Sequence, residues 1–200
     1  MTDVAHYRSL RIGSVGSHAN GWWGAVTLIV TEAALFTYLL FSYYYVAVQH
    51  GRDWLPSKLP GFLLSGPNTV ALLASSLLVW RGEMLVKRGR SGAAALWLGG
   101  GAALGAIFVV VQYFEWRDKD FGIVTSSYGS LYFTITGFHV MHVVVGIAVL
   151  LALTLWTALG YFDPKRNAAV SAGALYWHFV DVVWLALFTT FYVTPYLGVG

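Results

Sequence analysis

The stretch that decides the fold is residues 128–159, YGSLYFTITGFHVMHVVVGIAVLLALTLWTAL, which contains no Asp, Glu, Lys or Arg. A hydrocarbon core of about 30 Å needs about 20 helical residues, so this run is long enough to cross a membrane and to tilt or project beyond it. Six further uncharged runs accompany it, two pairs of which are separated only by Glu32 and by Asp181, and together the runs give five spans that do not repeat one another. The chain is therefore expected to be an all-α, polytopic transmembrane bundle of five helices, forming one domain over residues 1–200. The expected spans are 22–47, 67–87, 92–115, 128–159 and 169–196.

Composition agrees with this fold class and excludes several others. Hydrophobic residues make up 58% of the 200 positions and charged residues 10%, whereas a soluble domain is about one quarter charged. The chain has no cysteine, which excludes disulfides, iron–sulfur clusters, nucleophilic thiols and a cysteine-ligated dinuclear copper centre. The net charge of +3 gives no reason to expect a nucleic-acid partner, because the basic residues flank the spans.

The distribution of basic residues predicts the orientation. Eight lie before the first helix, between the second and third, and between the fourth and fifth: Arg8, Arg11, Arg81, Lys87, Arg88, Arg90, Lys165 and Arg166. Four lie on the opposite side: Arg52, Lys58, Arg117 and Lys119. The positive-inside rule therefore predicts a cytoplasmic N-terminus and a C-terminus outside.

A few titratable side chains fall inside the spans, where each is a candidate for function because burying charge in lipid is costly. Glu32 lies ten residues into the first helix, a depth of about 15 Å at 1.5 Å per residue. His139 and His142 lie about 16 and 21 Å into the fourth helix, and His178 and Asp181 lie at a similar depth in the fifth. Three helices therefore carry polar groups near the same level.

Helical spacing predicts which of these groups meet. His178 and Asp181 are three residues apart, and Trp177 and Trp184 flank Asp181 at four before and three after. We expect the imidazole to donate to the carboxylate between the two indole rings. We also expect Glu32 to be buried and protonated, within hydrogen-bonding reach of a histidine of the fourth helix.

Three interpretations of this polar layer compete. Paired side chains fix the register of the helices or contact lipid headgroups and a partner subunit, as most intramembrane polar residues do. Alternatively, His139, His142 and His178 hold a metal or haem, although three histidines are few for such a site. The third interpretation is a proton or ion path through Glu32 and Asp181.

The remaining sequence features indicate structural roles. Gln112 and Glu115 share a face at the outer end of the third helix, where a carboxylate that is solvated or bonded to the following loop is expected. Pro67, which precedes Asn68 and Thr69, is typical of a helix start. Gly101 and Gly105 form a G-x-x-x-G that permits close helix packing. No nucleotide-binding loop, catalytic Ser/His/Asp order or H-E-x-x-H zinc motif is present.

The string Tyr176-Trp-His-Phe-Val-Asp-Val-Val-Trp184 closely resembles the last transmembrane helix of subunit III of haem–copper oxidases, particularly cytochrome c oxidase. Four further stretches are similar to motifs of that family, in the family's order. They are Thr31-Glu32, Asn68-Thr69, Gln112-Tyr-Phe-Glu-Trp116, and the region from Ser127-Tyr-Gly-Ser through Thr136-Gly-Phe-His-Val-Met-His142 to Gly146. The motifs begin with the family's third helix, so the chain resembles the five-helix bacterial form.

This resemblance implies a core subunit of a proton-pumping terminal oxidase of aerobic respiration, located in a bacterial inner membrane. The chain itself would have no redox centre, because the family's haem and copper belong to subunits I and II. The family's subunit III packs on subunit I, binds phospholipid, and supports proton uptake and active-site stability. Carried over by position, Glu32, His142, His178 and Asp181 match the family's intramembrane motif residues. Cytochrome c would be the electron donor to the complex.

Departures from the family pattern leave alternatives. Val140 replaces the glycine between the paired histidines, and Trp156 stands where many relatives place an arginine that meets a lipid phosphate. The family's first two helices are also missing. A quinol oxidase subunit III or an accessory subunit of nitric oxide reductase shares the fold. A stand-alone channel or transporter and a membrane-anchored b-type cytochrome are the remoter alternatives.

Overall fold

The computed structural model describes residues 20–56 and 59–197, and within them it contains the five long helices expected from the sequence. Arg8, Arg11 and Lys58 lie outside the described residues, and the orientation that they helped to indicate stays a prediction. The helices are α1, Asn20–His50; α2, Phe62–Lys87; α3, Ser91–Arg117; α4, Ser127–Ala158; and α5, Ala168–Phe188.

The start of α2 differs from the prediction. The helix begins at Phe62, five residues before the expected position, so Pro67 lies inside it and does not mark its start. Proline lacks the N–H that would bond the carbonyl four residues earlier, which is tolerated here in the second turn of the helix. The apolar residues that precede Pro67 extend the span toward the outer side.

The last span also departs from one regular helix. After Phe188 the chain passes through a π-helical turn, Thr189–Val193, and then a last α-helical turn, Thr194–Leu197. Pro195 cannot donate a backbone hydrogen bond to Phe191, so the regular helical pattern is interrupted at this point. The wider turn changes the direction in which the side chains of this segment point.

The helices α2, α3, α4 and α5 form the packed body of the bundle, and α1 lies along α4 and α5. Only 6% of the most apolar part of α1 is buried within the chain, compared with 33–50% for the other four spans. Glycines allow the close approach of the inner helices, since Gly101 packs directly against Val79 of α2. The G-x-x-x-G motif therefore has the packing role predicted for it.

Two turns on the predicted cytoplasmic side depend on glycines with positive φ. Gly89 follows α2 with φ of 74°, and Gly160 follows α4 with φ of 77°. In each turn the glycine N–H and the following N–H bond back to carbonyls of the last helical turn, which is the Schellman arrangement. These caps end the two helices sharply and begin the short connections to α3 and α5.

Candidate functional site

A pair formed by Glu32 of α1 and His142 of α4 lies near the mid-length of the two helices. The His142 Nε2 atom is 3.0 Å from Glu32 Oε2, which confirms that Glu32 reaches a histidine of the fourth helix. The expectation that Glu32 is buried is wrong for the chain by itself, because 26% of its side chain is exposed beside the loosely packed α1. Phe36 packs edge-on against the His142 ring, and the Tyr176 hydroxyl donates to the His142 carbonyl.

The hydrogen bonds fix how many protons this pair shares. His142 Nδ1 lies 2.7 Å from the Phe138 carbonyl, which can only accept, so Nδ1 carries a proton. The bond between Nε2 and Glu32 Oε2 then contains one proton, located on either the imidazole or the carboxyl group. Both arrangements are neutral overall, so the pair can hold a proton within the membrane without adding net charge.

An apolar groove between α1, α4 and α5 begins about one helical turn from the Glu32–His142 pair. Leu28 and Ala25 of α1 line the groove one and two turns before Glu32, and Val145 and Val149 of α4 line it after His142. The groove has a volume of about 560 Å³ and ends near Trp22 and Trp156 on the predicted cytoplasmic side. Its walls are mostly aliphatic and aromatic, with Tyr176 next to the pair.

A second polar zone joins α5 to α2. The indole N–H of Trp177 donates to Ser75 Oγ at 3.0 Å, and that of Trp184 donates to Thr69 Oγ1 at 2.9 Å. Both indole rings are fully buried. These two bonds are separated by two turns of each helix and fix the register of α5 against α2.

The expected bond between His178 and Asp181 is not formed. His178 Nδ1 instead lies 2.5 Å from Ser76 Oγ of α2, because the histidine points across the helix seam. Asp181 is 4% exposed, lies beside Ser76, and accepts no hydrogen bond of ordinary geometry from the described residues. The two residues therefore occupy the same zone, with Ser76 as their common neighbour.

The outer ends of α3, α4 and α5 contain a third cluster. Glu115 is 3% exposed, and its Oε1 atom accepts bonds from the Tyr192 hydroxyl at 2.5 Å and from Lys119 Nζ at 2.9 Å. Of the two expectations for Glu115, solvation is wrong because the side chain is buried, whereas bonding to the loop is confirmed by Lys119, which follows α3. Tyr192 of the π-helical turn is an additional partner. Tyr132 of α4 bonds Tyr192 at 3.1 Å, and Gln112 is fully buried one turn deeper.

The histidines considered as metal or haem ligands are engaged in other bonds. His139 is fully buried and donates from Nε2 to the Val180 carbonyl at 3.1 Å, with its ring against Trp184 and Phe108. His142 has both ring nitrogens bonded, as described above. The described ranges contain no group of three His, Cys, Asp or Glu side chains placed to hold a metal ion.

Sequence reasoning missed the hydroxyl groups that complete these clusters. Thr69, Ser75 and Ser76 of α2 supply the partners of α5, and the spacing of seven residues places Thr69 and Ser76 on one helix face. That spacing was the available signal. Tyr192 gave no comparable signal, because only the π-helical turn brings it to Glu115.

Comparison with known proteins identifies the family. Residues 14–196 match the family model described as cytochrome c oxidase subunit III. The chain belongs to the cytochrome c oxidase subunit III family.

Three proteins named cytochrome c oxidase subunit 3 illustrate the similarity. The one from Synechocystis sp. is 34% identical over 86% of this chain and 74% of its own length. The one from Thermostichus vulcanus is 29% identical over 85% of both chains. The one from Paracentrotus lividus is 35% identical over 88% of this chain and 72% of its own length.

Membership of the subunit III family confirms the resemblance drawn from the five motifs. The match includes all five spans and every intramembrane residue selected from the sequence. Within this subunit III chain, the motif residues separate into the Glu32–His142 pair, the seam between α2 and α5, and the outer cluster at Glu115. The sequence had placed the first two groups at one level, with Glu32 near a fourth-helix histidine and His178 and Asp181 in a separate cluster.

Proposed function

We propose that this chain is the subunit of a proton-pumping cytochrome c oxidase that carries no redox centre, in a bacterial inner membrane. It packs on subunit I of the oxidase, and haem and copper are held by subunits I and II. The observation that carries the proposal is the family match over residues 14–196, together with relatives that share the name cytochrome c oxidase subunit 3. The five long apolar helices agree with a multi-pass membrane location.

The groove between α1, α4 and α5 supports a role in binding phospholipid. Its volume of about 560 Å³ and its apolar walls suit acyl chains, since side chains and lipid tails pack without polar contacts. Trp22 and Trp156 lie at the end of the groove on the predicted cytoplasmic side, and tryptophan is typical of the membrane interface. Lys165 and Arg166 follow α4 on the same predicted side and can attract a phosphate group.

The Glu32–His142 pair supports a role in proton uptake and active-site stability. The pair is neutral while its shared proton is in place, so it can hold a proton at this depth without adding net charge to the bundle. Its position at the end of the groove allows bound lipid to shield it. We propose that this chain assists the proton supply of the complex in this way and performs no electron transfer itself.

The test is purification of the affinity-tagged chain from native membranes in mild detergent. We expect subunits I and II to co-purify, with a visible haem spectrum and copper in stoichiometric amount. Copper at the dinuclear site of subunit II identifies cytochrome c as the donor, and its absence identifies a quinol oxidase. Stoichiometric haem or copper on the isolated chain would refute the proposal, as would ion flux through the chain alone in liposomes.

A further inference from the structure

His178 has an unusual position for a titratable group in a membrane span. Among the carboxylate and imidazole side chains near mid-depth in the described spans, only Glu32 and His178 are not buried by the chain. Glu32 is paired with His142 and faces the groove. His178 lies on the opposite seam, where Nδ1 bonds Ser76 and Nε2 makes no hydrogen bond to the described residues.

The surface around His178 is apolar toward the predicted outer side, and toward the predicted cytoplasmic side it ends at the hydrogen bond from Ser171 to Glu83. On α5, Val182 and Leu185 follow His178 at four and seven residues, so the three share one helix face. On α2, Leu73 and Leu77 flank Ser76, and Leu77 is 67% exposed. We name this surface the α2–α5 face, formed by Leu73, Ser76, Leu77, His178, Val182 and Leu185.

The hydrogen bond between Ser76 and His178 lies at a depth where contact with lipid is unfavourable. Ser76 lies eleven residues before the end of α2, and His178 lies ten residues after the start of α5. At 1.5 Å per residue, both lie about 15–17 Å from the same side, near the membrane centre. Acyl chains offer no hydrogen-bond partner to the remaining imidazole nitrogen, and an unsatisfied polar group in hydrocarbon is costly. A neighbouring transmembrane helix with a hydrogen-bonding side chain would supply the partner that the imidazole nitrogen needs.

We propose that the α2–α5 face is where this chain docks on the catalytic subunit of the oxidase. The occupant is an apolar transmembrane helix that carries a hydroxyl or amide side chain near mid-membrane and bonds His178 Nε2. This inference rests on the proposed function and adds the face that is used. The outward surfaces of α3 and α4 present no carboxylate or imidazole at this depth among the described residues, so they are left to lipid.

Site-specific photo-crosslinking in the assembled oxidase tests the face. A benzophenone side chain is introduced at Val182 on the α2–α5 face or at Val144 on α4 as the matched control. Both positions carry valine, are about half to two-thirds exposed, and lie about 21 Å from the predicted cytoplasmic end of their helix. We expect an adduct with the catalytic subunit from position 182 and none from position 144.

The outcomes separate this inference from the proposed function. An adduct from position 144 and none from 182 overturns the face while the oxidase assignment stands. Adducts from neither position, although the catalytic subunit co-purifies, also overturn the face. Failure of the catalytic subunit to co-purify overturns the proposed function itself.

A substitution tests the hydrogen bond separately from the apolar contact. His178→Leu removes the imidazole and keeps the face apolar, so we expect about a threefold weaker association with the catalytic subunit, the effect of one interhelical hydrogen bond. Val144→Leu, at an exposed position outside the face, should leave association unchanged. Retention in detergent is measured after gel filtration shows that each variant is folded. Equal retention of His178→Leu and wild type would overturn the bonding role of His178.

Discussion

The packing around Trp177 allows a sharp test of the bundle interior. Its ring is fully buried and lies between Gly105 of α3 and Gly146 of α4. A Cβ atom at Gly146 would lie 2.8 Å from two carbon atoms of the ring, where ordinary carbon contacts are about 3.5–4.0 Å. The Gly146→Ala substitution therefore adds one methyl group to a space that has no room for it.

The cost follows from two opposing contributions. Alanine in place of glycine stabilises a helix interior by about 0.5–1 kcal/mol. Overpacking a filled core costs about 1–3 kcal/mol, and the bond from Trp177 to Ser75 restricts movement of the ring. Gly137, on the same helix, has open space where its Cβ would lie. We therefore expect Gly146→Ala to be less stable than Gly137→Ala by about 1–3 kcal/mol.

The assay is equilibrium unfolding in mixed micelles with increasing sodium dodecyl sulfate. The nine tryptophans of the chain provide the fluorescence signal, and circular dichroism of both variants checks that the starting helical content is the same. The pair of alanine variants shares the same helix and the same gain in helix propensity, so the difference reports packing alone. Equal stability of the two variants would show that Trp177 is not held between the glycines.

Three further predictions concern other contacts of the bundle. Tyr192→Phe should destabilise the chain by about 1.5–3 kcal/mol in the same unfolding assay, because Glu115 loses a charge-assisted bond; Tyr196→Phe, which removes only a long bond of 3.4 Å, should cost less than half as much. Glu32→Gln should retain the infrared signature of a hydrogen bond at His142 Nε2 and Glu32→Leu should lose it, while the Nδ1 bond to Phe138 stays in both; an unchanged spectrum in both would contradict the pair. Gly89→Ala should lower the unfolding midpoint, since alanine at φ of 74° costs about 1–2 kcal/mol.

The extent of the transmembrane helices could be predicted closely because it depends on local composition. A run without charged residues predicts a span regardless of what surrounds it, and α3 and α4 begin and end within two residues of the predicted bounds. The start of α2 was harder to predict, because a proline is compatible both with the first turn of a helix and with the second.

The partners of the polar residues could be predicted only in part. The contact between Glu32 and a histidine of the fourth helix could be predicted because both lie near mid-membrane, a depth that follows from counting residues at 1.5 Å each. The absence of a bond between His178 and Asp181 could not be predicted in this way, since the choice depends on which neighbouring helix presents Ser76. The bond from Tyr192 to Glu115 could not be predicted for a similar reason, because Tyr192 reaches the carboxylate through a π-helical turn.

The sequence by itself determined that the chain crosses a membrane five times, has no thiol chemistry, and carries the motifs of its family. These properties depend on residue type and on spacing along one helix. The tertiary structure alone decided that the histidine paired with Glu32 is His142, that His178 bonds Ser76 across the seam from α2 to α5, and that Tyr192 completes a buried cluster at Glu115. In a membrane, each buried polar group must find a partner on another helix, and the rotation and register of those helices decide which partner is within reach.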